Sequence, residues 1–344
     1  MTDRHALAYA FLKRTGWDQA ARAPLAGDAS NRKYERLCHQ DGRAAVLMDA
    51  PTERGEDVRP FVSIARYLSG LGLSAPEIYA EDARNGFLLL EDLGDALFAR
   101  VMADDPALER PLYEAATDAL LHLHRAPPPT GLAAYSPQYM TQMAALAYEF
   151  YLAGAAEHAD AETAQPSQAF AQVFEPLLAA RAAEASVLIQ RDYHAENLLW
   201  LPERSGPARV GLLDFQDALA GHPAYDLVSV LQDARRDVPE AIEADMITRY
   251  IAASKQDAAS FEAAYHLLGA QRNLRILGVF GRLCMRDGKA HYIDFIPRVW
   301  GYLMRDLAHP ALAPVCDILR RDLPEPTSEI LQRLKDKCAT LPKP

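Results

Sequence analysis

Three polar residues stand out by type and spacing. Asp192 is followed five residues later by Asn197, in Arg191-Asp192-Tyr193-His194-Ala195-Glu196-Asn197, and Asp214 lies seventeen residues beyond Asn197, followed by Phe215. Short apolar runs, 187–189 and 210–213, lead into Asp192 and Asp214. A carboxylate in such a loop can orient a hydroxyl and take its proton. An amide oxygen and a second carboxylate are the hard donors that suit Mg²⁺, which keeps the rest of its shell for water and phosphate oxygens. A base and two metal donors are what phosphoryl transfer asks of a protein, because that chemistry depends on positioning and charge neutralisation more than on covalent catalysis. The five-residue reach lets Asp192 face an acceptor while Asn197 faces the metal.

An Asp and an Asn five apart are a weak signal in an acidic chain, where either can be a turn former. Specificity comes from the combination: the strand contexts, the Asp-Phe pair at its distance, and Gly221-His222-Pro223-Ala224-Tyr225-Asp226 downstream. Together they match the catalytic and metal loops of the kinase template.

These loops need a scaffold. Residues 3–15 have helical spacing, with Leu7, Phe11 and Leu12 on one face, and Gly16 as a stop. Residues 24–37 read as strand, polar turn and strand, 44–51 as a short strand ended by Pro51, and 61–73 as a helix ending in glycines. Residues 75–95 read as two strands joined at Asn85-Gly86, the strongest hairpin signal in the chain. Beyond about residue 95 the periodicity is mostly helical, interrupted by the runs at 187–189, 198–201 and 210–213, and the Pro-rich stretch at 126–130 is a loop. The expected class is α+β: a small antiparallel-sheet lobe over 1–92 that binds nucleotide, and a larger, mainly helical lobe over 93–344 that carries catalysis and the acceptor.

Bulk properties agree. A chain of 344 residues is comfortable for two lobes, and 50% hydrophobic with 24% charged residues is an ordinary globular balance. A net charge of −11 argues against a nucleic-acid partner, which needs a basic surface. The four cysteines are widely spaced, with no CxxC pair, and read as free thiols of a reducing compartment. Charged residues interrupt the N-terminal stretch, and no apolar run approaches a membrane span. A cytoplasmic monomer with no membrane association is the expectation.

On these motifs the chain resembles the aminoglycoside phosphotransferase and choline kinase superfamily, over nearly its whole length. The catalytic loop of that family usually reads H-G-D-x-H-x-x-N, and here reads Gln190-Arg191-Asp192-Tyr193-His194-Ala195-Glu196-Asn197; the metal loop is matched by Asp214, Gly221, Pro223 and Asp226. Within the superfamily it is similar to the bacterial cell-wall sugar kinases, which phosphorylate N-acetylmuramate and N-acetylglucosamine at C1. That similarity is carried by Gly27-Asp28-Ala29-Ser30, Leu47-Met48-Asp49-Ala50-Pro51, Leu90-Glu91-Asp92-Leu93-Gly94-Asp95, Asp214-Phe215-Gln216-Asp217-Ala218, Gln271-Arg272-Asn273-Leu274-Arg275 and Arg286-Asp287-Gly288-Lys289.

The resemblance implies a bilobal, protein-kinase-like fold, ATP as co-substrate and Mg²⁺ as cofactor. It implies Asp192 as the catalytic base, Asn197 and Asp214 as metal ligands, Asp226 as a buried structural residue holding the catalytic loop, and His194 as a loop-packing residue. Ser30, Asn31 and Arg32 are expected at the phosphates, with Glu91 and Leu93 offering backbone to the adenine edge; an ordinary hairpin turn is the other reading of 27–31. The expected activity is C1 phosphorylation of an N-acetylated amino sugar in peptidoglycan recycling. The alternatives are a kinase of the same fold acting on an aminoglycoside, choline or homoserine, and a catalytically silent nucleotide-binding module.

The sequence departs from the kinase pattern at the third strand, which reads Ala44-Ala45-Val46-Leu47-Met48-Asp49 and carries no lysine; Met48 sits near where one belongs. Either transfer is lost or another cation replaces it. Arg32, Lys33 and Arg36 are the candidates, Arg32 and Arg36 sharing one strand face while Lys33 points the other way.

For the acceptor, 271–286 is rich in arginine, with Arg272 and Arg275 on one helix face and Lys289 following. Such a face suits the lactyl carboxylate of a muramate, since arginine meets a carboxylate with two parallel hydrogen bonds; a solvated face with internal ion pairs is the commoner outcome for a charge run. Arg272 and Asn273 are the candidate acceptor contacts. Asp217 is either a second carboxylate near the metals or a turn former, and Arg191 either neutralises acceptor charge or packs against the metal loop.

Overall fold

The computed structural model describes residues 4–25, 31–157 and 163–342. In chain order the regular elements are α1 (Arg4–Thr15), β1 (Ala21–Pro24), β2 (Lys33–Cys38), β3 (Ala44–Asp49), α2 (Arg59–Gly70), β4 (Ile78–Asp82), β5 (Phe87–Leu90), α3 (Phe98–Asp104) and α4 (Glu109–Leu123). There follow α5 (Pro137–Ala144), a π-helical stretch (Ala147–Leu152) running into the short α6 (Ala153–Ala155), α7 (Ala164–Arg181), β6 (Val187–Ile189), β7 (Leu198–Trp200), β8 (Val210–Leu212) and β9 (Leu219–Gly221). The rest is helical: α8 (Ala224–Leu231), α9 (Glu240–Ser254), α10 (Ala258–Met285), α11 (Ile296–Leu307), α12 (Ala313–Asp322) and α13 (Ser328–Asp336). The class is α+β, as the periodicities indicate. By compactness the chain falls into two units, one of residues 1–123 with 195–218, the other of 124–194 with 219–344.

The first unit is built on an antiparallel sheet of order β1-β2-β3-β5-β4. Alternation along β2, β3 and β5 sends Leu37, Ala45, Leu47, Phe87 and Leu89 to one face. There they bury against Ala8, Phe11 and Leu12 of α1, and Trp17, with Phe11 stacked on Phe87 at 5.7 Å. Removing such a side chain to alanine typically costs about 2–5 kcal/mol, so this cluster fixes which sheet face is left for other work. On that other face lie Tyr34, Arg36, Val46 and Met48, with Tyr34 opposite Met48 and Arg36 opposite Val46. The β4–β5 turn forms as its Asn-Gly pair requires: Gly86 has φ +74, and a Cβ there would run into the carbonyl oxygen of Ala50. Ala50 in turn donates its N–H to Gly86 O at 2.8 Å. The β7–β8 hairpin completes the unit, bridging to Ser74 and Leu97 through Gly211 and Leu199.

The second unit is mainly helical. α10, 28 residues long, is packed against α5, α8 and α11 and buries most of its length. β6 and β9 form a two-stranded ladder, Val187 opposite Gly221 and Ile189 opposite Leu219. Gly221 permits that pairing, since a Cβ there would overlap the Ile189 side chain. Among the described residues no helix is long and apolar enough to cross a membrane.

Candidate active site

In the first unit, β7 and β8 pair in antiparallel register, Leu198 opposite Leu212. This register explains the seventeen-residue spacing. Asn197 immediately precedes one strand and Asp214 closely follows the other, and the Leu213 N–H donates to Asn197 O at 3.0 Å. The two side chains therefore meet: Asn197 Nδ2 donates to Asp214 Oδ2 at 3.5 Å, and Gln216 Nε2 donates to Asp214 Oδ1 at 2.6 Å. Asp214 has φ +57, a left-handed conformation that a non-glycine residue adopts at a cost of about 1–3 kcal/mol. The loop beyond it is anchored by Phe215, whose ring packs on Phe61 of α2 at 4.8 Å.

Asn197 and Asp214 lie at the edge of a cavity of about 510 Å³, whose apolar part includes Leu25, Tyr34, Val46 and Leu90. Val46 and Leu90 are direct partners in the β3–β5 register. The volume and mixed lining suit a drug-sized organic ligand with a charged end. Leu93 lines the cavity after β5, and Glu91 lies beside it with its N–H donated to Glu77 O at 2.8 Å and its carboxylate paired with Arg204 at 2.5 Å. Arg36 also lines the cavity. Its Nε and Nη2 bond Asp92 at 2.6 and 3.1 Å, and its Nη1 and Nη2 bond Asp95 at 2.7 and 3.0 Å. Asn31 and Arg32 converge on one carboxylate: Glu56 Oε1 accepts the Asn31 N–H at 3.1 Å, and Oε2 accepts Arg32 Nε at 2.9 Å. Ser30 lies outside the described residues. Asp217 is exposed on the loop after Asp214.

In the second unit, Asp192 follows β6 in a loop held from below. Asp226, at the start of α8 and 0% exposed, accepts the N–H of Gln190 at 2.6 Å and of Arg191 at 2.9 Å. Arg191 has φ +72, so these bonds fix a strained loop. Burial pushes the Asp226 carboxyl up to about 7, although both N–H donors act to lower it. Burial also acts to raise Asp192, but the nearby charges of Arg275, His194, Arg272 and Arg191 outweigh it and hold that carboxyl below its usual range. Burial depresses His194 to about 4, and its Nε2 lies 3.4 Å from Arg235 Nη1. The Arg191 guanidinium lies over the Tyr135 ring at 5.7 Å.

The arginine-rich helix is α10, and it is an interior element and not a solvated face. Arg272 is 3% exposed and donates Nη1 to Gln232 O at 3.3 Å. Asn273 is fully buried, its Nδ2 donating to Gln232 Oε1 at 2.8 Å and Asp306 Oδ2 at 3.1 Å. Arg272 thus belongs with Asp192, while the hydrogen bonds of Asn273 are internal to the helix packing. Arg275 is the cation with the largest influence on Asp192. Its i, i+3 spacing from Arg272 was the available signal, but spacing alone did not single it out. Glu56 carried no signal of its own, because it acquires meaning only from the partners that the fold brings to it.

Among the described residues no group of three or more His, Cys, Asp or Glu side chains could hold a metal by itself. Asn197 and Asp214 nevertheless fit Mg²⁺: they are neighbouring hard-oxygen donors at a cavity, and Mg²⁺ takes few protein ligands when phosphates supply others.

Comparison with known proteins agrees with this chemistry. The model of the phosphotransferase enzyme family matches residues 22–264. The chain is 42% identical over 345 aligned residues to an N-acetylmuramate/N-acetylglucosamine kinase of Caulobacter vibrioides, covering 91% of this chain and 94% of that one. It is 35% identical to the protein of the same name from Pseudomonas aeruginosa, covering 88% of this chain and 90% of that one. Among solved structures it is similar in fold to a choline/ethanolamine kinase family protein from Mesorhizobium loti, with a TM-score of 0.57 at 15% identity over 93% of this chain and 100% of that one.

Proposed function

Because the chain belongs to the phosphotransferase enzyme family, we infer that it is an ATP-dependent kinase of an amino sugar, transferring the γ-phosphoryl group to the C1 hydroxyl of N-acetylmuramate or N-acetylglucosamine. The similarity to two proteins named for those sugars supports the acceptor. The observation that carries the chemistry is the β7–β8 register, which sets Asn197 against Asp214 at 3.5 Å on the cavity edge.

In this reading ATP occupies the cavity, its adenine against Val46 and Leu90 and the backbone at Glu91 and Leu93, in the small lobe of residues 1–92. Ser30, Asn31 and Arg32 serve the phosphates. Asn197 and Asp214 hold Mg²⁺, which supplies charge neutralisation at the phosphates when bound. Asp192 accepts a hydrogen bond from the sugar C1 hydroxyl and takes its proton as the oxygen bonds to the γ-phosphorus and the bond to the β–γ bridging oxygen breaks, releasing ADP. The lowered pKa of Asp192 keeps it ionised at neutral pH. A weak base suffices, because the loose transition state of phosphoryl transfer asks for proton removal late. Arg191, Asp217, Arg272 and Asn273, on the lobe of residues 93–344, are the acceptor side, with Arg272 best supported through its influence on Asp192. His194 and Asp226 shape the loop. A cytoplasmic monomer acting in peptidoglycan recycling, without nucleic-acid or membrane partners, completes the reading.

Phosphorus NMR of the protein with Mg-ATP and, separately, N-acetylmuramate, N-acetylglucosamine, choline and an aminoglycoside tests it. A C1-phosphate resonance with either amino sugar, lost in Asp192→Ala, is expected. Phosphate transfer to choline or the aminoglycoside alone, or turnover that survives Asp192→Ala, would refute it.

A further inference from the structure

Three cations lie on or just before β2, the strand paired with β3, where the strand lysine of a kinase is missing, and the structure separates them. Lys33 is exposed and, by alternation, on the face opposite Tyr34. Arg36 is on the cavity face, but its guanidinium makes four hydrogen bonds to Asp92 and Asp95, two carboxylates that more than neutralise it. Arg32 precedes β2 with the parity of Tyr34 and Arg36, and so belongs to the same face.

Register places Arg32 beside the vacant lysine position. Tyr34 is directly opposite Met48, and both Tyr34 and Val46 line the cavity. Met48, two residues beyond Val46 on β3, therefore faces the same way and is 1% exposed. Arg32 is two residues before Tyr34, diagonal to Met48 across the ladder, a separation that long side chains span. Its hydrogen bond to the Tyr34 side chain ties it to the cavity wall. Its second partner is Glu56, in the segment that leads into α2, with N···O 2.9 Å and both side chains largely shielded, at 13% and 12% exposure. In kinases the strand lysine is paired with a glutamate of the helix that follows, and the pair must be in place for transfer. Here Glu56 accepts both from Arg32 and from the N–H of Asn31, the first described residue after the phosphate-loop segment.

We propose that the Arg32–Glu56 pair performs the office of the missing lysine–glutamate pair: Arg32 reaches the nucleotide phosphates from just before β2, and Glu56 positions it while holding the backbone of Asn31. The proposal rests on the kinase reading given above and specifies which side chain meets the phosphates. Arg36 has a different task, holding the 92–95 loop at the nucleoside end of the cavity.

The test is calorimetric titration of the full-length protein with ADP and with adenosine, both in the same Mg²⁺ buffer, so that the two ligands differ only in the phosphates and the Mg²⁺ they hold. Loss of one charge-assisted contact makes Arg32→Ala bind ADP about 10- to 100-fold more weakly while adenosine affinity stays within about twofold. Arg36→Ala weakens both ligands by the same factor. Arg32→Lys keeps most of the preference for ADP, and adding Met48→Lys to Arg32→Ala restores about tenfold or more, because that lysine enters from the opposite strand. Glu56→Gln lowers kcat more than it raises KM for ATP. Parallel loss of ADP and adenosine binding in Arg32→Ala, or no loss, in a protein whose thermal melt shows it folded, would overturn the proposal and leave the kinase reading intact. A wild-type protein that binds neither ligand and turns over no ATP overturns both.

Discussion

Replacing Asp226 by alanine isolates what the loop before Asp192 costs to hold. Its carboxylate accepts two backbone N–H groups, from buried Gln190 at 2.6 Å and half-buried Arg191 at 2.9 Å. Leaving a buried donor unpaired costs about 1–3 kcal/mol, so two come to about 2–6 kcal/mol. Some of that returns when Arg191 relaxes from its left-handed conformation, which stores about 1–3 kcal/mol. The net expectation is a loss of about 1–4 kcal/mol in unfolding free energy by urea titration. The kinetic effect should be larger than the stability effect. Asp192, the proposed base, lies one residue beyond Arg191, and misplacing a catalytic group by about an ångström costs on the order of 10²-fold in rate. KM for ATP should stay near its wild-type value, because the cavity proposed for ATP is lined by residues of the other compact unit. Asp226→Asn adds a sign check. With the folded pKa raised from 3.8 to about 7, the contribution of Asp226 to stability is greatest below pH 4 and is lost as pH rises through 7. That slope should vanish in the asparagine variant. An Asp226→Ala protein with wild-type kcat, or one whose main defect is KM for ATP, would refute the reasoning.

Two further outcomes follow from groups outside the reaction. Gly86→Ala should lower stability by about 2 kcal/mol or more, since it combines a φ of +74 with a collision against Ala50 O; a thermal melt within error of wild type would contradict the turn geometry. Burial depresses His124 to about 3 and His194 to about 4. Both are therefore neutral in the folded protein while the unfolded chain binds protons below about pH 6.5, so stability should fall as pH drops from 6.5 towards 4. Urea midpoints measured across that window check it, and His124→Gln should flatten the slope.

Local chemistry was legible in the sequence and partnership was not. The spacing of Asn197 and Asp214 could be read because strand hairpins convert fixed intervals in sequence into adjacency, as the β7–β8 register does here. The hairpin at Asn85-Gly86 and the helix of α1 were readable for similar reasons, since turn chemistry and period are properties of short windows. The fate of the arginines was not. Alternation sets Lys33 apart, but Arg32 and Arg36 look interchangeable in sequence, and what separates them is Glu56, Asp92 and Asp95, which lie 20 or more residues away. The segment around Arg272 reads as a charged surface, yet α10 is interior, because α5, α8 and α11 surround it. The hydrogen bonds of Asn273 to Gln232, just after α8, and to Asp306 of α11 join parts of the chain that no short window of sequence brings together.

The four short strands of the catalytic segment are nested: β6 pairs with β9, and β7 with β8 inside them. The inner hairpin belongs to the compact unit formed by residues 1–123, although it is synthesised only after the whole of α5 to α7. A ribosome therefore releases the five-stranded sheet long before the segment that completes its unit, and the growing chain must carry an unfinished N-terminal body while part of its other half is already being made. N-terminal-first folding is the common route for chains of this size, and here it cannot run to completion. A stop codon anywhere between residues 123 and 195 would yield a fragment missing Asn197 and Asp214 together with the hairpin that joins them, so truncation removes the two proposed metal donors and the structural closure of the unit in one event.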